Sequence, residues 1–93
     1  MEPDEARKIF KELSRKYAIE ILLLIKQGKK TPKQLKKNLG ITEGSLYQVL
    51  NPLLDCGILD KDRDVRVPPR SDYKLTKRGE VVLRLVELLL LTD

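Results

Sequence analysis

Apolar residues in this chain recur first at helical spacing. Ala6, Ile9, Phe10 and Leu13 form one stripe, which predicts a helix over residues 2–13. Pro3 stands near its start, and Asp4 and Glu5 occupy the first turn, where the helix dipole favours acids. Ser14 is the expected cap of a second helix that runs to residue 25, with Tyr17, Ala18, Ile21, Leu22, Leu24 and Ile25 inward and Gly28 just past its end. Thr31 followed by Pro32 opens a short third helix over 32–38, with Leu35 and Leu39 inward and Gly40 as the break. Thr42 caps a fourth helix, Glu43–Asp55, whose stripe is Leu46, Val49, Leu50, Leu53 and Leu54. Pro52 lies inside that pattern, deletes a backbone hydrogen bond and predicts a kink.

After Gly57 the period changes. Ile58 and Leu59 begin a strand, a charged stretch follows over 60–66, Pro68-Pro69 signals a turn, and 71–75 reads as the returning strand. A short extra strand at 29–31 is compatible with this hairpin. Thr76 caps a last helix over 76–91. The expected fold class is α+β and mostly α: a helix-turn-helix at 31–55, a two-stranded wing at 58–75, and flanking N- and C-terminal helices, all in one domain over residues 1–93.

Composition narrows the function. The chain has 93 residues, room for one modest core and not for a separate catalytic or sensing domain. It has one cysteine, Cys56, and no histidine. That excludes an internal disulfide, a Cys/His zinc site and nucleophile–histidine catalysis, so no catalytic residue, metal or cofactor is expected. Cys56 reads as a small core residue, since a redox role needs an exposed thiol with a lowered pKa. No signal peptide or membrane-length apolar segment is seen, so the expected location is the cytoplasm. The net charge of +5 points to a polyanionic partner.

The charges are placed as well as counted. Lys26, Lys29, Lys30, Lys33, Lys36 and Lys37 fall in a stretch with no acidic residue, around the helix expected to cross a phosphate backbone. Of these, Lys30, Lys33 and Lys37 are the chosen phosphate contacts; such contacts position a protein and carry no sequence information. In the fourth helix the apolar stripe is used for packing. The opposite face presents Glu43, Gly44, Ser45, Tyr47, Gln48 and Asn51. All but Glu43, together with the cap Thr42, are candidates for a major groove, where amides and hydroxyls read base edges; Tyr47 can equally pack against the neighbouring helix. Gly44 is costly in a helix but permits close backbone approach. On the wing, Arg63, Arg66 and Arg70 are candidates for the flanking backbone or minor groove, partly offset by Asp60, Asp62 and Asp64.

Four segments carry a resemblance. Thr31-Pro-Lys-Gln-Leu, Gly40-Ile-Thr-Glu-Gly-Ser-Leu-Tyr-Gln-Val-Leu, Leu53-Leu-Asp-Cys-Gly-Ile-Leu and Tyr73-Lys-Leu-Thr-Lys-Arg-Gly79 together resemble the MarR, ArsR, PadR and HxlR group of winged-helix transcription regulators. The resemblance spans residues 17–84. It implies a recognition helix at 42–55 and a wing at 60–73. Pro52 departs from the pattern, and no sensory cysteine cluster or ligand domain accompanies it.

The last helix is apolar around almost its whole circumference, from Val81 to Leu91, and a helix of that kind is buried on more than one side. Its own domain covers one side; a second subunit is the simplest cover for the other. The expected dimer contacts are Ile9, Phe10, Leu13, Val82, Leu85, Val86 and Leu89. A two-fold dimer sets two recognition helices roughly 34 Å apart and predicts a palindromic site. The sequence thus reads as a homodimeric, sequence-specific binder of double-stranded DNA that regulates transcription. The alternative is a winged helix used for protein contact within a transcription or replication complex, since fold alone does not fix function.

Overall fold

A computed structural model describes residues 1–64 and 70–92. The described elements are α1 (Pro3–Leu13), α2 (Ala18–Lys26), α3 (Pro32–Leu39), α4 (Glu43–Asp55), β1 (Leu59–Asp64), β2 (Arg70–Leu75) and α5 (Lys77–Leu90). The two strands pair antiparallel, with Leu59 opposite Leu75 and Lys61 opposite Tyr73. One core joins all of this. Ile21 and Leu22 of α2, Leu35 of α3, and Leu46, Leu50 and Leu53 of α4 are fully buried together with Ile58 and Tyr73.

Three of the expected caps are made by threonine. Thr31, Thr42 and Thr76 each accept the backbone N–H three residues on, from Gln34, Ser45 and Gly79. At α3 the box is reciprocal, because Gln34 Oε1 takes the Thr31 N–H at 3.1 Å. Ser14 behaves otherwise. It terminates α1, donating its hydroxyl to the Lys11 carbonyl, and α2 begins only at Ala18 after Tyr17, whose φ of 74° is left-handed. A turn between two helices won over the expected continuous start.

Pro52 leaves α4 continuous to Asp55. The proline removes only the bond to the Gln48 carbonyl, on the exposed side of the helix. The helix ends in a Schellman arrangement. Gly57, at φ 77°, gives its N–H to Leu54, and Ile58 gives its N–H to the Leu53 carbonyl at 3.0 Å.

The charged stretch after Leu59 is strand through Asp64. It pairs with β2 as a ribbon that extends past the core, so no apolar alternation marks it. The Pro68-Pro69 turn signal lies outside the described residues. The extra strand at 29–31 reduces to a single ladder-like bond, Tyr73 N–H to the Lys30 carbonyl at 2.8 Å, which ties the wing to the entrance of α3.

The start of α5 is the tightest junction. The Thr76 N–H donates to the Ile58 carbonyl, and the Thr76 hydroxyl donates to the Gly57 carbonyl while accepting the Gly79 N–H. At Gly79 a Cβ would stand 2.1 Å from the Ile58 carbonyl oxygen, closer than any real contact allows. Backbone blocks backbone there, so no side-chain rotation relieves the clash. Gly79→Ala is expected to cost about 3 kcal/mol and to lower Tm by roughly 12–24 °C. Thermal unfolding followed by circular dichroism measures this, and an unchanged Tm would refute the junction.

Candidate nucleic-acid interface

α3 and α4 pack against each other around a buried seam made by Leu35, Leu46 and Leu50. That seam decides what remains outside. On α3, Lys33 and Lys37 are exposed and Lys36 is half-buried. Lys30, just before α3, is exposed, and its backbone is held at both ends, N–H to Gln34 Oε1 and carbonyl to Tyr73. Lys26 is drawn away from this group. Its ammonium pairs with Glu87 of α5, so it braces α2 against α5.

On α4, Thr42, Gly44, Ser45, Gln48 and Asn51 are all exposed. Thr42 Oγ1 donates to Ser45 Oγ at 3.0 Å and accepts the Ser45 N–H at 3.2 Å, so the first polar side chains are pre-ordered by the cap. Gly44 has no demand from its own fold. It is helical, its φ is not left-handed, and a Cβ there would meet nothing within 4 Å. A glycine at an exposed helix position costs about 1 kcal/mol relative to alanine.

Tyr47 differs from its neighbours. It is half-buried, with its ring against the core. Its phenol stands beside that of buried Tyr73, whose pKa is pushed up to about 12 by burial first and by Tyr47 second. Tyr73 therefore stays protonated, and the pair links α4 to the base of the wing. Of the two placements that sequence spacing leaves open for Tyr47, outward or packed on a neighbour, the structure shows it partly packed.

The wing candidates divide. Arg63 lies on β1 and Arg70 on β2, with their backbones paired to Ser71 and Asp64. Arg66 lies outside the described residues. Asp62 faces Asp72 across the ribbon and Asp60 faces Lys74, so the acids interleave with the bases as the sequence indicates.

α1 and α5 carry an apolar groove between them. It is an open cleft of 570 Å³ between α1 and α5, and all seven expected dimer residues line it: Ile9, Phe10, Leu13, Val82, Leu85, Val86 and Leu89. Ile9 and Val82 form its floor and belong to the core of their own chain. Phe10, Leu85 and Leu89 form its walls, exposed by 64%, 54% and 71%.

Cys56 is buried at the end of α4. Burial pushes its thiol pKa up, and its Sγ leans on the Leu53 carbonyl. Both oppose the thiolate that redox chemistry requires. Among the described residues no cluster of Cys, Asp or Glu is arranged to hold a metal, and no helix is long and apolar enough to cross a membrane.

Comparison with known proteins agrees with this geometry. A model of the HxlR-like helix-turn-helix family matches residues 12–91. An uncharacterised HTH-type transcriptional regulator of Escherichia coli K12, YtfH, is 30% identical over 78 residues, covering 83% of this chain and 62% of that protein. An uncharacterised HTH-type transcriptional regulator of Methanocaldococcus jannaschii is 34% identical over 84 residues, covering 85% of this chain and 73% of the other. The chain thus spans under two thirds of the length of the E. coli relative. Among solved structures, the reduced form of the transcriptional regulator YodB from B. subtilis shares the fold, with a TM-score of 0.81 at 20% identity over 96% of this chain and 87% of that one. The structure of ytfH from Salmonella typhimurium superposes with a TM-score of 0.76 at 29% identity over 90% of this chain and 76% of that one. The two-stranded wing, the capped α3–α4 pair and the match over residues 12–91 place the chain in the HxlR-like helix-turn-helix family.

Proposed function

We propose that this chain is a cytoplasmic transcription regulator that binds double-stranded DNA as a homodimer and performs no chemistry. α4 enters the major groove with Ser45, Gln48 and Asn51 toward base edges and Gly44 at the point of nearest backbone approach. Thr42 and Tyr47 stand at the margin of that surface, Tyr47 half-buried and engaged with Tyr73. Lys30, Lys33 and Lys37 contact phosphates, and the wing, through Arg63, Arg66 and Arg70, follows the flanking backbone or minor groove. The observation that carries this reading is the exposed polar start of α4, which bears one acid, Glu43, adjoining the exposed lysines of α3 in the acid-free stretch 21–42.

The dimer supplies the second half-site. Phe10, Leu85 and Leu89 are too exposed for a free surface, and contiguous apolar patches of this kind mark interaction sites. A two-fold copy seats α1 and α5 of each subunit in the groove of the other.

Fluorescence anisotropy with a labelled random-sequence duplex across a salt series tests the DNA claim. Binding weakens log-linearly with salt, by about 0.9 in slope for each phosphate contacted, and a Lys33→Glu, Lys37→Glu variant loses both affinity and slope. Absence of binding at low salt would refute the reading and favour a protein partner. For the dimer, Leu85→Glu and Leu89→Glu sit on exposed positions and leave the fold intact. Sedimentation equilibrium is expected to show monomers, and affinity for a palindromic duplex selected from the random pool to fall on the order of 100-fold. Dimers that persist in both variants would exclude the groove as the interface.

A further inference from the structure

We propose that Arg78 is a positioning residue that sets the angle between α4 and the α1/α5 groove, and thereby the half-site spacing the dimer accepts; this rests on the dimeric DNA-binding reading above. Arg78 lies in the first turn of α5, next to the Thr76 cap. A cation there faces the positive end of its own helix dipole, so α5 itself does not favour it. Its partners lie elsewhere. α4 has no basic residue in its last turn, and Arg78 Nη1 donates to the Cys56 carbonyl at its end, at 3.0 Å. The guanidinium also lies across the left-handed turn, with Nη1 3.4 Å from where a Gly57 Cβ would stand. Its other nitrogen, Nη2, reaches the carboxylate of Glu5 on α1 at 3.6 Å.

One planar group therefore touches the negative end of the recognition helix and the carboxylate of α1 while rooted in α5. A guanidinium holds two such directions at once because its donors are fixed in a fork. The bridge matters because α1 and α5 otherwise approach each other only sparsely. Among the described residues, Arg78–Glu5 is the ion pair that joins these two walls of the groove. Arg78 also lines the groove itself. In a two-fold dimer, a small change of angle at this bridge is doubled in the separation of the two α4 helices. The separation must match one DNA turn, roughly 34 Å.

The test is a distance measurement in the free dimer. Gln48, exposed on α4, is replaced by a spin-labelled cysteine in a Cys56→Ala background, and the separation between subunits is read by pulsed dipolar electron resonance. The parent is expected to give one narrow distribution. Arg78→Gln is expected to widen it at least twofold, read at a concentration where sedimentation shows the variant to be dimeric. Glu5→Gln, which removes only the α1 arm, is expected to widen it in the same direction by less, and it serves should Arg78→Gln fail to fold. A dimeric parent whose distribution both variants leave unchanged would overturn the inference alone. A monomeric parent would overturn the dimeric reading and the inference with it.

Discussion

Gly79 lies against the carbonyl of Ile58 with no room for a methyl group between them, and three other bonds close around that contact. Thr76 gives its N–H to Ile58 and its hydroxyl to Gly57, and Arg78 gives a guanidinium proton to Cys56. The carbonyls of Cys56, Gly57 and Ile58, just past the end of α4, are thus taken up by the start of α5. Buried backbone acceptors need partners, and this junction supplies them from one backbone N–H and two side chains. It fixes α4, the root of the wing and α5 relative to one another at a single point.

The rest of the architecture follows from that point. With its C-terminal half pinned and its apolar stripe sunk among Leu35, Ile58 and Tyr73, α4 has one face left, and its first two turns are the part furthest from the junction. The same constraint sends β1 out beyond the core as a ribbon. It also sends α5 the other way, where Val82 and Leu83 are buried and Leu85, Leu88 and Leu89 are left bare. The α3–α4 face carries exposed lysines and polar residues, and the α1–α5 groove is apolar.

Much of this was legible because caps and breaks are local. Thr31, Thr42 and Thr76 announce their helices by chemistry that acts within three residues. Ser14 misled for the same reason: a serine bonds as readily to a preceding carbonyl as to a following N–H, and only the left-handed turn at Tyr17 shows which it chose. The length of β1 was illegible because Asp60, Lys61 and Asp62 lie on a ribbon wet on both sides, so no hydrophobic alternation records it. The half-buried state of Tyr47 depends on Tyr73, twenty-six positions away in the chain, and Arg78 depends on Cys56 and Glu5. Such placements are tertiary and leave no trace in periodicity. The groove residues were read correctly as one apolar set, but Ile9 and Val82 serve the chain's own core as well.

Gly44 offers the most direct test of the central claim, that the outer face of α4 is shaped by something other than its own fold. Nothing within the chain crowds that position or bends the backbone there, and the glycine weakens the helix. The measurement is a paired one on Gly44→Ala: thermal unfolding and duplex affinity at one salt concentration. The account predicts opposite signs, a Tm raised by a few degrees, from about 0.5–1 kcal/mol of helix stability, with DNA affinity reduced several-fold. A variant that is stabilised and binds DNA as tightly as the parent would contradict it, because the groove-facing surface would then lie elsewhere.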